Sequence, residues 1–123
     1  MVMTQTAVPP RSQIAREHTW NAESVYPTPE AWAAELKAVT DDLPALAVFR
    51  GHLGDSAAKL ADWFEASEKI SRRVGKLFFY ARMSQAVDAT NQAAVSMVGQ
   101  AGAIASQFAA VTAFSQPEIL APR

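Results

Sequence analysis

The feature that most constrains this chain is a continuous helical pattern over residues 56–87. Its apolar residues recur every three or four positions, which is the spacing of one face of an α-helix. At about 1.5 Å per residue, such a helix is about 48 Å long. Asp55 or Ser56 is predicted to cap its N-terminus. The residues predicted for its inner face are Leu60, Trp63, Phe64, Ser67, Ile70, Val74, Leu77, Phe78 and Ala81.

A shorter helix is predicted before this one. Thr28 is a suitable cap. Pro29 suits the first helical position, because a backbone N–H at that position would have no partner inside the helix and proline has none. Pro44 removes a backbone donor, so we expect a kink or a short break just ahead of it. Gly51 and Gly54 are expected to adopt left-handed conformations where this helix ends.

A third helix is predicted over residues 91–114, with Thr90 or Asn91 as its cap. Residues 117–120 are expected to start another short helix. No segment alternates between apolar and polar residues in the way that a strand requires. The predicted fold class is therefore all-α, an antiparallel bundle or layer of about three long helices preceded by an irregular N-terminal arm.

Two regions of unequal order are predicted. Residues 1–17 are polar and include two adjacent prolines, so we expect a flexible arm. Residues 18–123 are expected to form one helical domain. The N-terminus has no basic start followed by an apolar run, which argues against a secretory signal and favours a cytoplasmic protein.

Composition excludes several kinds of site. The chain has no cysteine, so disulfides and thiolate metal sites are impossible. Its 11 basic and 12 acidic residues are well mixed and give a net charge of −1, which provides no basic patch for nucleic acid or an anionic membrane. The two histidines, His18 and His52, do not have the spacing of a metal motif. We therefore predict no catalytic residue, no metal ligand and no cofactor in this chain.

Two further stretches have a functional and a structural interpretation. The basic residues Lys69, Arg72, Arg73 and Lys76 could meet an anionic ligand, but glutamates four positions earlier favour a solvated helix face with ion pairs. Residues 93–114 contain no charge over 22 positions and are long enough to cross a membrane. Their many alanines and polar side chains, without an aromatic belt, favour a buried helix of a soluble protein and no membrane.

The segment from residue 18 to residue 32 is rich in aromatic side chains and proline. Trp20, Tyr26 and Trp32 are predicted to be structural anchors, because large aromatic residues in a polar arm need an apolar surface to cover them. A simple hydrophobic staple at the start of the first helix explains the pattern equally well.

The apolar surface of the third helix is wide, and the end of the long helix is apolar on more than one side. Three helices in a thin layer cannot cover both surfaces. We therefore predict an open apolar patch near Phe79, Met83, Ile104 and Phe108, which would bind a partner domain or a second copy of the chain.

Five motifs in order resemble the oligoendopeptidase F family of zinc metallopeptidases. They are TWNAESVYPTPEAW, LPALAVFRGHLGDSAAKLADW, EKISRRVGKLFFYARM, DATNQ and FSQPEIL, and together they extend over most of residues 16–121. Asn21 departs from the aspartate that this family usually has after the tryptophan.

The resemblance implies a helical N-terminal lid region of a longer peptidase, whose HExxH motif and zinc would lie in a catalytic domain absent from this chain. Short peptides would be substrates of the full-length enzyme only. The remainder of that enzyme, or a second copy of the chain, would be the partner. The chain is expected to be a cloned domain, a proteolytic product or the product of a truncated gene. The alternative is a stand-alone helical interaction module that forms homo-oligomers.

Overall fold

A computed structural model describes Pro9 and residues 11–121 of the chain. This part is helical, without a strand, and about four fifths of the structure is helix. Its α-helices are α1 (Ala22–Val25), α2 (Pro29–Asp42), α3 (Ala57–Val87), α4 (Gln92–Thr112) and α5 (Ser115–Leu120). The predicted all-α class with three long helices, here α2, α3 and α4, is confirmed. Most of the predicted flexible arm, residues 1–8 and 10, lies outside the described residues.

Side-chain caps start the three long helices where the sequence predicts them. The hydroxyl of Thr28 accepts a hydrogen bond from the N–H of Ala31 at the start of α2, and Pro29 is its first residue. Ser56 caps α3 and Asn91 caps α4 in the same way. Each cap satisfies one backbone donor that has no partner inside its helix.

The predicted break before Pro44 appears as a change of helix type. Helix α2 ends at Asp42, and the chain continues as a 3-10 helix over Leu43–Phe49. Leu43 and Leu46 of this segment are buried. The tighter turn therefore keeps two leucines in the core although proline cannot donate a backbone hydrogen bond.

Gly51 and Gly54 behave differently from each other. Gly51 has a φ of +83°, as predicted, and Gly54 is not among the glycines with positive φ, so the prediction for Gly54 is wrong. The turn is already closed by N–H groups of His52 and Asp55, which donate to the carbonyls of Phe49 and His52. One left-handed residue is enough to reverse the chain here.

Helices α3 and α4 form the most extensive helix–helix contact of the structure. They are joined by residues 88–91 only, so they run antiparallel as a helical hairpin. Helix α2 and the 3-10 helix cover another side of α3. The core between these elements contains Val39, Leu46, Leu53, Ile70, Val74, Leu77, Ala81, Ala101 and Ile104.

Two residues of the predicted inner face of α3 are exposed to solvent. Phe64 is 51% exposed and Phe78 is 38% exposed. Both lie at one edge of the predicted apolar face, whereas the neighbouring helices meet α3 along Ile70, Val74 and Leu77. The long apolar face of α3 is therefore covered only in part.

Helix α5 is held against the turn that follows the 3-10 helix. Its Glu118 carboxylate accepts hydrogen bonds from the N–H groups of Gly51, at 2.8 Å, and Leu53, at 3.3 Å. Helix α5 begins at Ser115 and includes Pro117, two residues earlier than predicted. A single carboxylate thus satisfies two backbone donors of the turn.

Replacing Trp32 tests how strongly α2 is bound to α3. Trp32 is 2% exposed, and its indole N–H donates to the Leu77 carbonyl at 2.9 Å. Trp32→Ala should lower the free energy of unfolding by about 3–5 kcal/mol, measured by chemical denaturation. Trp20→Ala is the matched comparison and should cost less, because Trp20 is only partly buried. Equal losses in the two variants would contradict this account.

Candidate functional site

The aromatic segment before α2 lies on the C-terminal half of α3. The Trp20 ring meets the rings of Phe79 and Tyr80 edge to face, with centroids 6.0 and 5.8 Å away. Tyr26 makes a perpendicular contact with Tyr80 at 5.2 Å, and the Lys76 ammonium lies 5.0 Å from the Tyr26 centroid. These geometries are the favourable ones for aromatic pairs and for a cation over a ring. Tyr26 is buried, and Trp20 is partly buried.

A charged cluster fastens α2 to the middle of α3. Arg73 donates to the Glu35 carboxylate at 2.6 Å through Nη2 and to Asp42 at 2.7 Å through Nη1. Its side chain is only 25% exposed. The predicted solvated face therefore holds for Arg72, which pairs with Glu68 at 2.6 Å, but not for Arg73. The reason is that α2 runs past Arg73 and supplies two carboxylates.

The Tyr26 hydroxyl is buried beside this cluster. It has no hydrogen-bond partner in the part of the chain that the structure describes. The pKa of Tyr26 is raised to about 12, mainly because the hydroxyl is buried and also because the Glu35 carboxylate is near, while Arg73 acts in the opposite direction. An unpaired buried hydroxyl destabilises the folded state, so Tyr26 contributes through its ring rather than through its polar end.

The four residues of the predicted apolar patch do not lie together. Ile104 is 2% exposed in the core, because α4 turns it toward α3. Phe79 is 52% exposed next to Trp20, whereas Phe108 lines a hollow with Trp63 and Phe64. Phe64 and Phe79 are about 22 Å apart along α3, at about 1.5 Å per residue. Met83 is half-buried. A partner-binding role for these residues stays a prediction.

The described residues do not fit a metal centre. His18 lies 3.4 Å from Glu17 and His52 lies 2.8 Å from Asp55, each as an isolated exposed pair. No group of three His, Cys, Asp or Glu side chains that could hold a metal ion occurs within residues 11–121. A zinc centre needs at least three such protein ligands, so none of its chemistry can be derived from these residues.

Helix α4 is less buried than its sequence predicts. Only 17% of its most apolar 18-residue window is buried, and its fully buried residues are Ala94, Ala101 and Ile104. The prediction of a buried helix is therefore wrong for this chain, because only α3 and the 3-10 helix cover α4 extensively. The helical run Gln92–Leu120 is long and apolar enough to cross a membrane by length and composition, a test that core helices also pass.

Removing the Tyr26 hydroxyl tests its unfavourable burial. Tyr26→Phe should keep the ring contact with Tyr80 and raise the free energy of unfolding at neutral pH by about 1 kcal/mol. The wild-type chain should also lose stability as pH rises from about 10 toward 12, because the unfolded tyrosine ionises first.

The measurement is chemical denaturation from neutral pH to pH 12 on both chains. The Tyr26→Phe chain should lose less stability in the alkaline range than the wild-type chain. A variant that is less stable than wild type at neutral pH would show that the hydroxyl makes a favourable interaction.

The chain is similar in sequence to several bacterial oligopeptidases. The chain is 36% identical over 113 residues to oligopeptidase PepF of Bacillus subtilis. It is 31% identical over 110 residues to group B oligopeptidase PepB of Streptococcus agalactiae, and 33% identical over 111 residues to an oligoendopeptidase F homolog of Lactococcus lactis. No family model and no solved structure matches the chain.

These matches include 89–92% of this chain but only 17–18% of each relative. The chain therefore spans less than a fifth of the length of the curated relatives it matches, and this is consistent with an N-terminal region. The resemblance drawn from the five sequence motifs is confirmed, and the described helices are homologous to one part of the oligoendopeptidase F family of oligopeptidases.

Proposed function

We propose that this chain is a non-catalytic helical region of a cytoplasmic zinc oligoendopeptidase that hydrolyses short peptides, and that it helps to enclose the substrate channel. The observation that carries the proposal is the match over about nine tenths of the chain to proteins named as oligopeptidases. Sequence similarity over this helical region supports a shared fold more directly than a shared reaction.

In this proposal, the zinc ligands and the catalytic residues come from the rest of a longer peptidase. The isolated histidine pairs described above support this division of roles, because neither has a third ligand within the described residues. The helices would then contribute by position, as one wall of the channel, rather than by chemistry.

The exposed side of α4 supports a packing role against another domain. Val95 is 40% exposed, Leu120 of α5 is 72% exposed, and only 17% of the apolar window within Gln92–Leu120 is fully buried. Apolar surface of this extent is typical of an interface with further protein. We propose that the rest of the peptidase covers α4 and that the opposite side of the region borders the channel.

A stand-alone helical interaction module remains the second candidate, and the same uncovered side of α4 favours it. The two candidates differ in the reading frame downstream of Arg123. A continuing frame with an HExxH motif several hundred residues later supports the peptidase, whereas a stop codon supports the module.

The isolated chain should bind no zinc and cleave no peptide. Two histidines, each paired with one carboxylate, cannot provide the three or four ligands of a zinc site. Elemental analysis after mild chelation and a fluorogenic oligopeptide assay would measure both properties. One zinc per chain that survives chelation would contradict the assignment of a non-catalytic region.

A chimera tests the structural role directly. In Bacillus subtilis oligopeptidase PepF, the 113 matching residues would be replaced by the corresponding part of this chain. The chimera should fold and retain oligopeptide cleavage, whereas PepF without the region should lose it. The same chimera with Trp32→Ala is the matched control and should be less stable. A stable, correctly folded chimera without activity would count against the proposal.

A further inference from the structure

Helix α5 (Ser115–Leu120) has little apolar attachment to the rest of the structure. None of its residues is buried, and it makes no extensive contact with another helix of the described chain. Its two large apolar side chains, Ile119 and Leu120, are 41% and 72% exposed. Burial of apolar surface is the main force that holds one helix against another, so it contributes little to the position of α5.

A single carboxylate provides the polar attachment of α5. Oε2 of Glu118 accepts a hydrogen bond from the N–H of Gly51, and Oε1 accepts one from the N–H of Leu53. The N–H of His52 between them donates to the Phe49 carbonyl and needs no partner from α5. Hydrogen bonds to a charged acceptor are stronger than neutral ones. The Glu118 carboxylate is therefore the main fastening of α5.

The chain just before α5 is fixed in place. The Phe114 ring lies 5.0 Å from the Trp63 ring, measured between centroids, and the Arg50 guanidinium lies 6.0 Å from the Phe114 centroid. Phe114 is also packed against the core. Helix α4 ends before this anchor, at Thr112, and residues 113–114 form a turn. A movement of α5 can therefore pivot at this turn without disturbing α4.

Helix α5 also forms one wall of a hollow that α3 and α4 line as well. The hollow has a volume of about 310 Å³. Ser115 and Ile119 of α5 line it together with three aromatic side chains, those of Trp63, Phe64 and Phe108. A movement of α5 would therefore change the access of water to these aromatic side chains.

From these observations we infer that α5 is a lid, which opens and closes as a unit by pivoting at residues 113–114, and that the Glu118 carboxylate holds it closed over one side of the hollow. A segment with few buried contacts opens locally at a free-energy cost below that of global unfolding. Loss of the two Glu118 hydrogen bonds is enough to release α5, while α2, α3 and α4 stay packed. The inference does not depend on the peptidase role.

Amide hydrogen exchange of the wild-type chain tests whether α5 opens separately. The N–H groups of Gly51 and Leu53 should exchange through an opening that depends little on denaturant, because this opening exposes little surface. The N–H groups of the buried Val74 and Ile104 should exchange only with global unfolding and should depend strongly on denaturant. The same rates and the same denaturant dependence for the two pairs would overturn the inference.

Glu118→Ala tests the role of the carboxylate. Exchange of the Gly51 and Leu53 N–H groups should become at least about tenfold faster, because both lose their acceptor. Exchange of the His52 N–H, which is bonded within the turn, should change much less. Gln116→Ala, at an exposed position of the same helix, is the matched control and should leave all three rates unchanged. Unchanged exchange of Gly51 and Leu53 in Glu118→Ala would contradict the inference.

A spin label measures the movement of α5 directly. The chain has no cysteine, so Leu120→Cys introduces a single exposed thiol that can carry a nitroxide. The label should be restricted in the otherwise unchanged chain and mobile when Glu118→Ala is added. The same label on Ser106→Cys, at an exposed position of α4, is the control and should not respond to Glu118→Ala.

Two outcomes of the labelling experiment would overturn the inference. Equal mobility of the Leu120→Cys label with and without Glu118→Ala would mean that the carboxylate does not hold α5. A response of both labels would mean that Glu118 supports the whole core rather than a separate lid. Neither outcome would affect the zinc and chimera tests of the proposed function.

Discussion

The burial of one side of α3 is the constraint on which the rest of this structure depends. Helix α3 is the longest element, and α2, the 3-10 helix and α4 all contact it. Aromatic contacts hold its two ends: Trp63 between Phe49 and Phe114 near the start, and Tyr80 between Trp20 and Tyr26 near the end. Between them, the aliphatic core and the Trp32–Leu77 hydrogen bond fix α2 against the middle of the helix. These neighbours cover only part of the surface of a 31-residue helix.

Local features of the fold could be predicted from the sequence because local physics determines them. Thr28, Ser56 and Asn91 cap helices by bonding backbone groups three residues away, and Gly51 takes the left-handed conformation that other residues avoid. The helical period likewise identified α3 to within one residue of its observed bounds. Such signals need only a short stretch of sequence to be recognised.

Contacts between helices could not be predicted from these local signals. Arg73 bonds Glu35 and Asp42, which are 38 and 31 residues earlier, and their approach depends on how α2 crosses α3. The packing of the helices also leaves Phe64 and Phe78 exposed and buries Ile104. The helical period could not predict this, because it does not distinguish a residue at the edge of an apolar face from one at its centre. For the candidate site, the motifs supported the family, whereas the exposed positions of Phe64 and Phe78 on α3 could be identified only once the packing of the helices was known.

The contact between Glu118 and the turn at Gly51 and Leu53 has a consequence for the order in which the chain folds. It joins residues 67 and 65 positions apart, whereas the α3–α4 hairpin closes through a four-residue connection. Because the entropic cost of closing a loop grows with its length, we expect the hairpin to form before α5 docks. On a ribosome, the N–H groups of Gly51 and Leu53 stay hydrated until Glu118 has left the exit tunnel. The hydrogen bonds between Glu118 of α5 and this turn can therefore form only after all the preceding helices have been synthesised.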